Sequence, residues 1–401
     1  MEVDPDGFLG SDLELESIVN FVTSSIAETF HPKSIIVAGS VGRQEFSCLK
    51  EDGTVKFLSD CEITVVPNGF IQREALQNLT QKLSRKTQLE LTINSSLKLW
   101  ICSLLNAPYA VSCRIWQPTI RYYDLKYSSK VVYGKNILQK LPAIQPSDIP
   151  VWEGIKLIFN RMAGSLGNFP DDCPESYKSF YWINKVILAC QDALLLTLKK
   201  YQPSYRLRNR MFQEVFHSRF AELASKIPSL LELATKATDF KLKPNKNSYP
   251  SNLHSLWFDT VEVCDQVFRY VLTVDAGITF SSWVEFTQKY LTSPKLKKNY
   301  TFEFTLFQPL NNSGDPVSYA TASKFLPCLG FNSLKQHTIY SIIPLVYFGL
   351  SRNGNVDSRQ LSAARSILSS FKNLHGCNSD PFEEWTYLRQ ETCALWNTFF
   401  N

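Results

Sequence analysis

The stretch from Ser34 to Pro67, SIIVAGSVGRQEFSCLKEDGTVKFLSDCEITVVP, constrains this chain more than any other. Ile35-Ile36-Val37-Ala38 is a short, β-branched apolar run, the pattern of a buried strand. Gly39-Ser40 closes it, and Val41-Gly42-Arg43-Gln44-Glu45 leads away. A polar insert follows, with Lys50-Glu51-Asp52-Gly53 at the tip of a loop or hairpin. Ser59 to Val66 then forms a second expected strand, carrying Asp60 and Glu62 two residues apart. Side chains alternate faces along a strand, so both carboxylates project from one side and Cys61 turns to the core.

Two carboxylates held side by side repel, and such a pair needs a cation or a proton. Hard oxygen ligands at this spacing suit Mg²⁺, which binds through a few carboxylates together with substrate phosphates. The Gly39-Ser40 turn supplies a complementary half. Glycine lets the backbone approach a phosphate, serine adds a hydroxyl and an amide, and a helix starting there presents free N–H groups to an anion.

A turn of small residues followed by acid-x-acid on the next strand resembles the nucleotidyltransferase superfamily of DNA polymerase β. The family pattern is Gly-Ser, a spacer, then Asp-x-Asp/Glu flanked by apolar residues. Gly39-Ser40 and Asp60-x-Glu62 match it, while the spacer from Val41 to Ser59 is longer than the family's. The resemblance runs from about Ser11 to Arg210. The segment RYYDLKYSSKVVYG, Arg121 to Gly134, adds to it: Tyr-Glu/Asp-Leu-Lys before a Val-Tyr-Gly strand end is similar to bacterial and archaeal two-domain members.

Flanking segments fit a small α+β domain. Ser11 to Phe30 carries Leu13, Ile18, Phe21, Val22 and Ile26 at near-helical spacing, with Ser11 and Glu14 as a capping box. Gln72 to Lys86 is an expected amphipathic helix with Leu76, Leu79 and Leu83 on one side. Gln88 to Ile93 alternates as a half-buried strand and places Glu90 on it. The resemblance implies a third acid on a neighbouring strand, and Glu90 is the residue that fits, although the family's usual residue is Asp.

Composition bounds the rest. The chain has 401 residues, 44% hydrophobic and 20% charged, long enough for two or three domains with sizeable cores. A formal net charge of +5 permits a polyanionic partner without arguing for one, so nucleic acid is possible but not indicated. The start, MEVDPDGFLG, is acidic and lacks the apolar segment of a signal peptide, and no uninterrupted apolar window suits a membrane span. The ten cysteines, from Cys48 to Cys393, form no Cys-x-x-Cys pair, and the five histidines do not cluster with them. Reduced, mostly buried thiols in a cytoplasmic protein fit this pattern, and a zinc site does not.

Pro142 to Pro150, PAIQPSDIP, is the expected linker, and the sequence beyond it turns helical. Val151 to Leu166 and Lys178 to Lys200 are expected helices, as are Ser255 to Val274, Leu334 to Leu350, Ser358 to Phe371 and Asp380 to Phe400. Stretches 242–252 and 295–318 are expected loops. Tyr201 to Arg210 combines aromatics with three arginines, a composition that suits either phosphate binding or a plain basic helix end.

The expectation is therefore an α+β chain: a small mixed-sheet nucleotidyltransferase-like domain over 1–145, a helical domain over 151–300 and a helical extension over 301–401. The resemblance implies Mg²⁺-dependent transfer of a nucleoside monophosphate from a nucleoside triphosphate to a hydroxyl acceptor, releasing pyrophosphate. Asp60, Glu62 and Glu90 would bind two Mg²⁺ ions. Gly39, Ser40 and Gly42 would cradle phosphates, and Arg43 would neutralise their charge. Lys126 and Lys130 are further cations within reach of phosphate. Family members of the two-domain type use a lysine from the first helices after the linker to hold the triphosphate, and Lys185 fits that role. Glu at two of the three acid positions keeps open an alternative, a nucleotide-binding or regulatory module without turnover.

Overall fold

The computed structural model describes residues 13–51, 54–96, 99, 118–173, 176–245, 248–293, 327–376 and 379–400. Ser11 of the expected capping box, the loop expected over 295–318 and a boundary near residue 300 lie outside them.

The chain is α+β. Its first half runs α1 (Leu13–Phe30), β1 (Ser34–Ala38), α2 (Gly39–Gly42), β2 (Cys48–Glu51), β3 (Thr54–Phe57), β4 (Cys61–Val66), α3 (Arg73–Thr87), β5 (Leu91–Ser95), α4 (Ile120–Ser128) and β6 (Lys130–Gly134). Four strands form a mixed sheet in the order β5-β4-β1-β6. β1 is antiparallel to β4 and to β6, whereas β4 and β5 are parallel. A parallel neighbour needs a crossover, and α3 supplies it. The polar insert is a separate antiparallel ribbon, β2 with β3, paired from Cys48–Phe57 to Glu51–Thr54.

One face of the sheet is closed by helices. Leu15, Val19, Val22 and Ile26 recur on one side of α1 and are buried. They pack in one core with Ile35 and Val37 of β1, Cys61, Ile63 and Val65 of β4, Leu91 and Ile93 of β5, and Leu76 and Leu83 of α3. Each fully buried aliphatic side chain of this kind contributes about 1.5–3 kcal/mol relative to exposure. Alternation then decides the other face. With Cys61 and Ile63 turned inward, Glu62 is exposed, and with Leu91 and Ile93 inward, Thr92 is half-buried.

Two strand starts differ from the sequence expectation. β4 begins at Cys61, so Ser59 and Asp60 precede it, and β5 begins at Leu91 rather than Gln88. Gln88 takes a left-handed conformation at φ 53° and caps α3, so the chain becomes extended only after it. The parity of the side chains is unchanged.

The helical elements are α5 (Trp152–Gly167), α6 (Ser176–Thr197), α7 (Tyr205–Arg219), α8 (Ala221–Lys226), α9 (Leu230–Leu242), α10 (Leu253–Ala276), α11 (Trp283–Thr292), α12 (Pro327–Tyr347), α13 (Ser358–Leu368) and α14 (Pro381–Phe400). Residues divide into two compact units by their contacts. The first holds the sheet and takes 1–149 together with 199–211 and 238–248. The second takes 150–198, 212–237 and 249–401. Within the second, α5, α6 and α10 pack on one another. Phe159 meets Phe268 edge-on at 5.0 Å between centroids, and the Trp257 indole donates to Ser165 Oγ at 3.0 Å. No helix among the described residues is long and apolar enough to cross a membrane.

Candidate functional site

All but one of the expected site residues belong to the first unit. Gly39, Ser40 and Gly42 lie where β1 ends, in a turn whose Gly39, Ser40 and Val41 are buried, while Glu62 on the neighbouring strand is exposed. Gly39 has φ +62°, a conformation that costs little only for glycine. Arg43, Gln44 and Glu45 then return their N–H groups to the carbonyls of Gly39, Val41 and Ser40 at 3.2, 3.0 and 2.9 Å, which closes the turn. Gly42 is wedged tightly. A β-carbon there would lie 2.6 Å from the Val37 carbonyl oxygen and 2.9 Å from that of Ser128.

Ladder register sets the acids against this turn. Ala38 pairs with Glu62 across β1 and β4. The Glu62 carboxylate consequently lies over Gly39: a β-carbon on Gly39 would meet Glu62 Oε1 at 2.5 Å and Cδ at 2.8 Å. Asp60, partly exposed, accepts a hydrogen bond from the Thr92 hydroxyl on Oδ2 at 2.9 Å. Thr92 stands beside Glu62 in the parallel β4–β5 ladder. Glu90 is exposed just before β5, and its carbonyl accepts from the Cys61 N–H at 2.9 Å. Among the described residues no three His, Cys, Asp or Glu side chains converge as a metal-holding group. Asp60 and Glu62 present hard carboxylate oxygens at the solvent edge, the donor chemistry that Mg²⁺ or another hard divalent cation takes. Cys61, between them in sequence, is buried. Burial first, then Asp60 and Glu62, pushes its thiol up to about 12, so it stays neutral in the core.

Arg43 faces inward. Its Nη1 lies 3.2 Å from Asp124 Oδ2 and its Nε lies 3.6 Å from Glu45 Oε2, with only 8% of the side chain exposed. Burial works against its charge, but Asp124 and neighbouring tyrosines outweigh that, and its pKa is raised. Asp124 also accepts from the Tyr201 hydroxyl at 3.2 Å. Lys126 gives its ammonium to the Leu141 carbonyl, and Lys130 lies on β6 opposite Val37. Lys185 belongs to the second unit, where its ammonium sits 4.4 Å from the Tyr181 ring centroid and 4.5 Å from that of Trp182.

Glu45 and Lys241 carried no sequence signal, and both meet partners far along the chain. Glu45 is buried and accepts from Ser204 Oγ at 2.6 Å and from the N–H groups of Tyr205 and Arg206 at 2.9 and 3.3 Å. It caps α7, alongside Ser204, whose hydroxyl accepts the Leu207 N–H. Lys241, 5% exposed, donates to Ser59 Oγ at 2.6 Å. The Ser47 hydroxyl donates to the Lys241 carbonyl at 2.6 Å, and both serines bound the β2–β3 ribbon. Tyr205 gathers the cations: Arg208, Arg43 and Lys241 lie 4.0, 5.1 and 5.6 Å from its ring centroid. Compared with family models and with curated proteins, the chain matches none.

Gly39→Ala tests how tightly turn and acid are fitted. A left-handed alanine costs about 1–2 kcal/mol before any overlap is counted. The variant is therefore expected to lose at least that much stability in urea denaturation. An unchanged midpoint would show that Glu62 moves aside at no cost.

Proposed function

We propose that this chain is a Mg²⁺-dependent nucleotidyltransferase of the polymerase β kind. It would move a nucleoside monophosphate from a nucleoside triphosphate to a hydroxyl acceptor and release pyrophosphate. The observation that carries this reading is the Glu62 carboxylate lying directly over Gly39 of the Gly-Ser turn. An acid pair that reaches solvent, set against a buried amide-bearing turn, supplies the two halves that phosphoryl transfer needs: opposite charges for a metal-bound phosphate, positioned together.

Asp60 and Glu62 are the residues that would hold Mg²⁺, and Glu90, exposed just before β5, would join them only by turning its side chain toward the pair. Bound there, the metal would neutralise phosphate charge and lower the pKa of the acceptor hydroxyl. The remaining roles fall to the chain. Glycine at 39 makes room for the Glu62 carboxylate against the turn, and a phosphate would reach the Ser40 hydroxyl and the first amides of the turn once a cation had drawn Glu62 aside. Thr92 holds Asp60 in one orientation. Glu90 would share the acceptor-side cation or accept the acceptor's proton. In this reading the catalytic domain expected over 1–145 lies within the sheet-bearing unit, which also takes 199–211 and 238–248. Free thiols at Cys48, Cys61, Cys173, Cys190, Cys264 and Cys393 suit a reducing, cytoplasmic setting.

Calorimetry with each nucleoside triphosphate, in Mg²⁺ and in EDTA, tests the reading. Affinity in Mg²⁺ is expected to exceed that in EDTA by about tenfold or more, since each 1.4 kcal/mol of added attraction is tenfold. Equal affinities would remove the metal role of Asp60 and Glu62. A pyrophosphate assay on the same samples, with cell extract as the acceptor source, separates enzyme from binding module: Mg²⁺-dependent binding without pyrophosphate release assigns the module.

A further inference from the structure

α7 starts at Tyr205, and a helix start is an anion site by default, because its first N–H groups are free and its dipole is positive there. In this protein a side chain already fills it. Glu45 Oε1 accepts from the Ser204 hydroxyl and the Arg206 N–H, and Oε2 accepts from the Tyr205 N–H. These three partners are all donors, and Arg43 Nε adds charge at 3.6 Å from Oε2. Glu45 is also the last residue of the Gly39–Ser40 turn, since its own N–H donates to the Ser40 carbonyl at 2.9 Å. One buried residue, 9% exposed, thus ends the turn with its backbone and starts a helix 160 positions away with its side chain.

We propose that Glu45 is a positioning residue: it fixes the Gly39–Ser40 turn by anchoring the turn's end on the first turn of α7. The proposal rests on the reading of that turn as the phosphate site. Two consequences separate it from a plain helix cap. Loosening the anchor loosens the backbone bonds of Arg43 and Gln44, which Glu45's side chain does not touch directly. Coupling is also reciprocal, so an anion held at the turn stiffens the start of α7.

The test uses the full chain, Mg²⁺ with inorganic tripolyphosphate as the base-free probe, and the variants Glu45→Gln, Ser204→Ala and Ser40→Ala. Glutamine keeps the length of Glu45 but turns an N–H₂ toward a donor, so the anchor fails while volume is kept. Hydrogen exchange at Arg43–Glu45 and at Tyr205–Leu207 is expected to rise together by about tenfold in Glu45→Gln, and less in Ser204→Ala, with β4 unchanged. In the parent chain, Mg²⁺–tripolyphosphate slows exchange at Tyr205–Leu207, and in Glu45→Gln it does not. Tripolyphosphate affinity falls by about tenfold in Glu45→Gln but less than about twofold when Ser40→Ala is already present, the signature of two residues acting through one contact.

Faster exchange confined to Tyr205–Leu207, or equal losses of affinity with and without Ser40→Ala, would overturn the proposal and leave Glu45 a helix cap. The phosphate reading is judged separately. Coupled loosening of both segments, with the same tripolyphosphate affinity in parent, Glu45→Gln and Ser40→Ala, keeps the anchor and removes the phosphate role of the turn. Should Glu45→Gln fail to fold, Ser204→Ala carries the same pattern at smaller amplitude.

Discussion

Asp60→Asn is expected to abolish Mg²⁺-dependent triphosphate binding and to cut pyrophosphate release by about a thousandfold or more, because a metal ligand bears several kcal/mol of transition-state charge stabilisation. The change is nearly isosteric. Asparagine keeps one oxygen that can accept from the Thr92 hydroxyl, which lies 2.9 Å from Asp60 Oδ2. The negative charge is removed and one acceptor oxygen becomes an NH₂ donor, and a neutral amide oxygen holds Mg²⁺ less strongly than a carboxylate. Asp60 is partly exposed and precedes β4, so no ladder bond depends on it. Thermal and urea denaturation of the metal-free variant should therefore match the parent within about 1 kcal/mol, the net worth of one side-chain hydrogen bond. The opposite pattern, a loss of about 1–3 kcal/mol in stability with intact Mg²⁺-dependent binding, is what a structural carboxylate would give. That pattern would sink the proposed chemistry.

The parts of this site that were legible are those written in local periodicity. β1, the glycine turn and β4 follow from an apolar run, a small-residue break and an alternating strand, and the structure has each in place. Alternation also decided faces: Cys61 is buried and Glu62 exposed, as the period of two requires. The polar insert is a paired ribbon, β2 with β3, as the expected loop or hairpin requires. Strand starts were less legible, because a left-handed Gln88 has no strong local signal. Glycine and asparagine announce that conformation, and glutamine does not.

What sequence could not supply was the long-range polar network. Glu45, in Gly-Arg-Gln-Glu, looks like a solvated residue after a turn. It is buried because α7, far along the chain, offers it a hydroxyl and two N–H groups. Lys241 meets Ser59 across 182 residues. Lysine and arginine are rarely fully buried unless paired, so period and composition place both Lys241 and Arg208 outside. The sequence did flag Tyr201 to Arg210 as aromatic and basic. It could not show that Arg208 would turn inward, to 2% exposure, and stack at 4.0 Å over Tyr205. Segments 199–211 and 238–248 join the sheet-bearing unit through such contacts, and those contacts leave no periodic trace.

Arg43 is where the network and the candidate site meet, and Arg43→Met should produce the largest loss of stability. The guanidinium is 8% exposed, lies 3.2 Å from Asp124 and 3.6 Å from Glu45, and covers one face of Tyr205. Methionine approximates its volume and removes its charge and donors. Glu45 keeps Ser204 and the amides of α7, whereas Asp124 loses its nearest cation and retains the Tyr201 hydroxyl. Removing one partner of a buried pair costs about 3–5 kcal/mol, because the other charge stays buried. Urea denaturation should show a loss of that size in the transition of the sheet-bearing unit. Arg43→Lys should lose less, since charge is kept and only the fork is lost. Adding Asp124→Leu to Arg43→Met should recover part of the loss, because the stranded carboxylate is then gone. If Arg43 instead served to neutralise phosphate, Arg43→Met would weaken Mg²⁺–triphosphate binding with a stability change below about 1 kcal/mol, the range of an exposed ion pair. Denaturation and calorimetry on the same three variants decide between an arginine that holds the turn in place and one that holds its ligand.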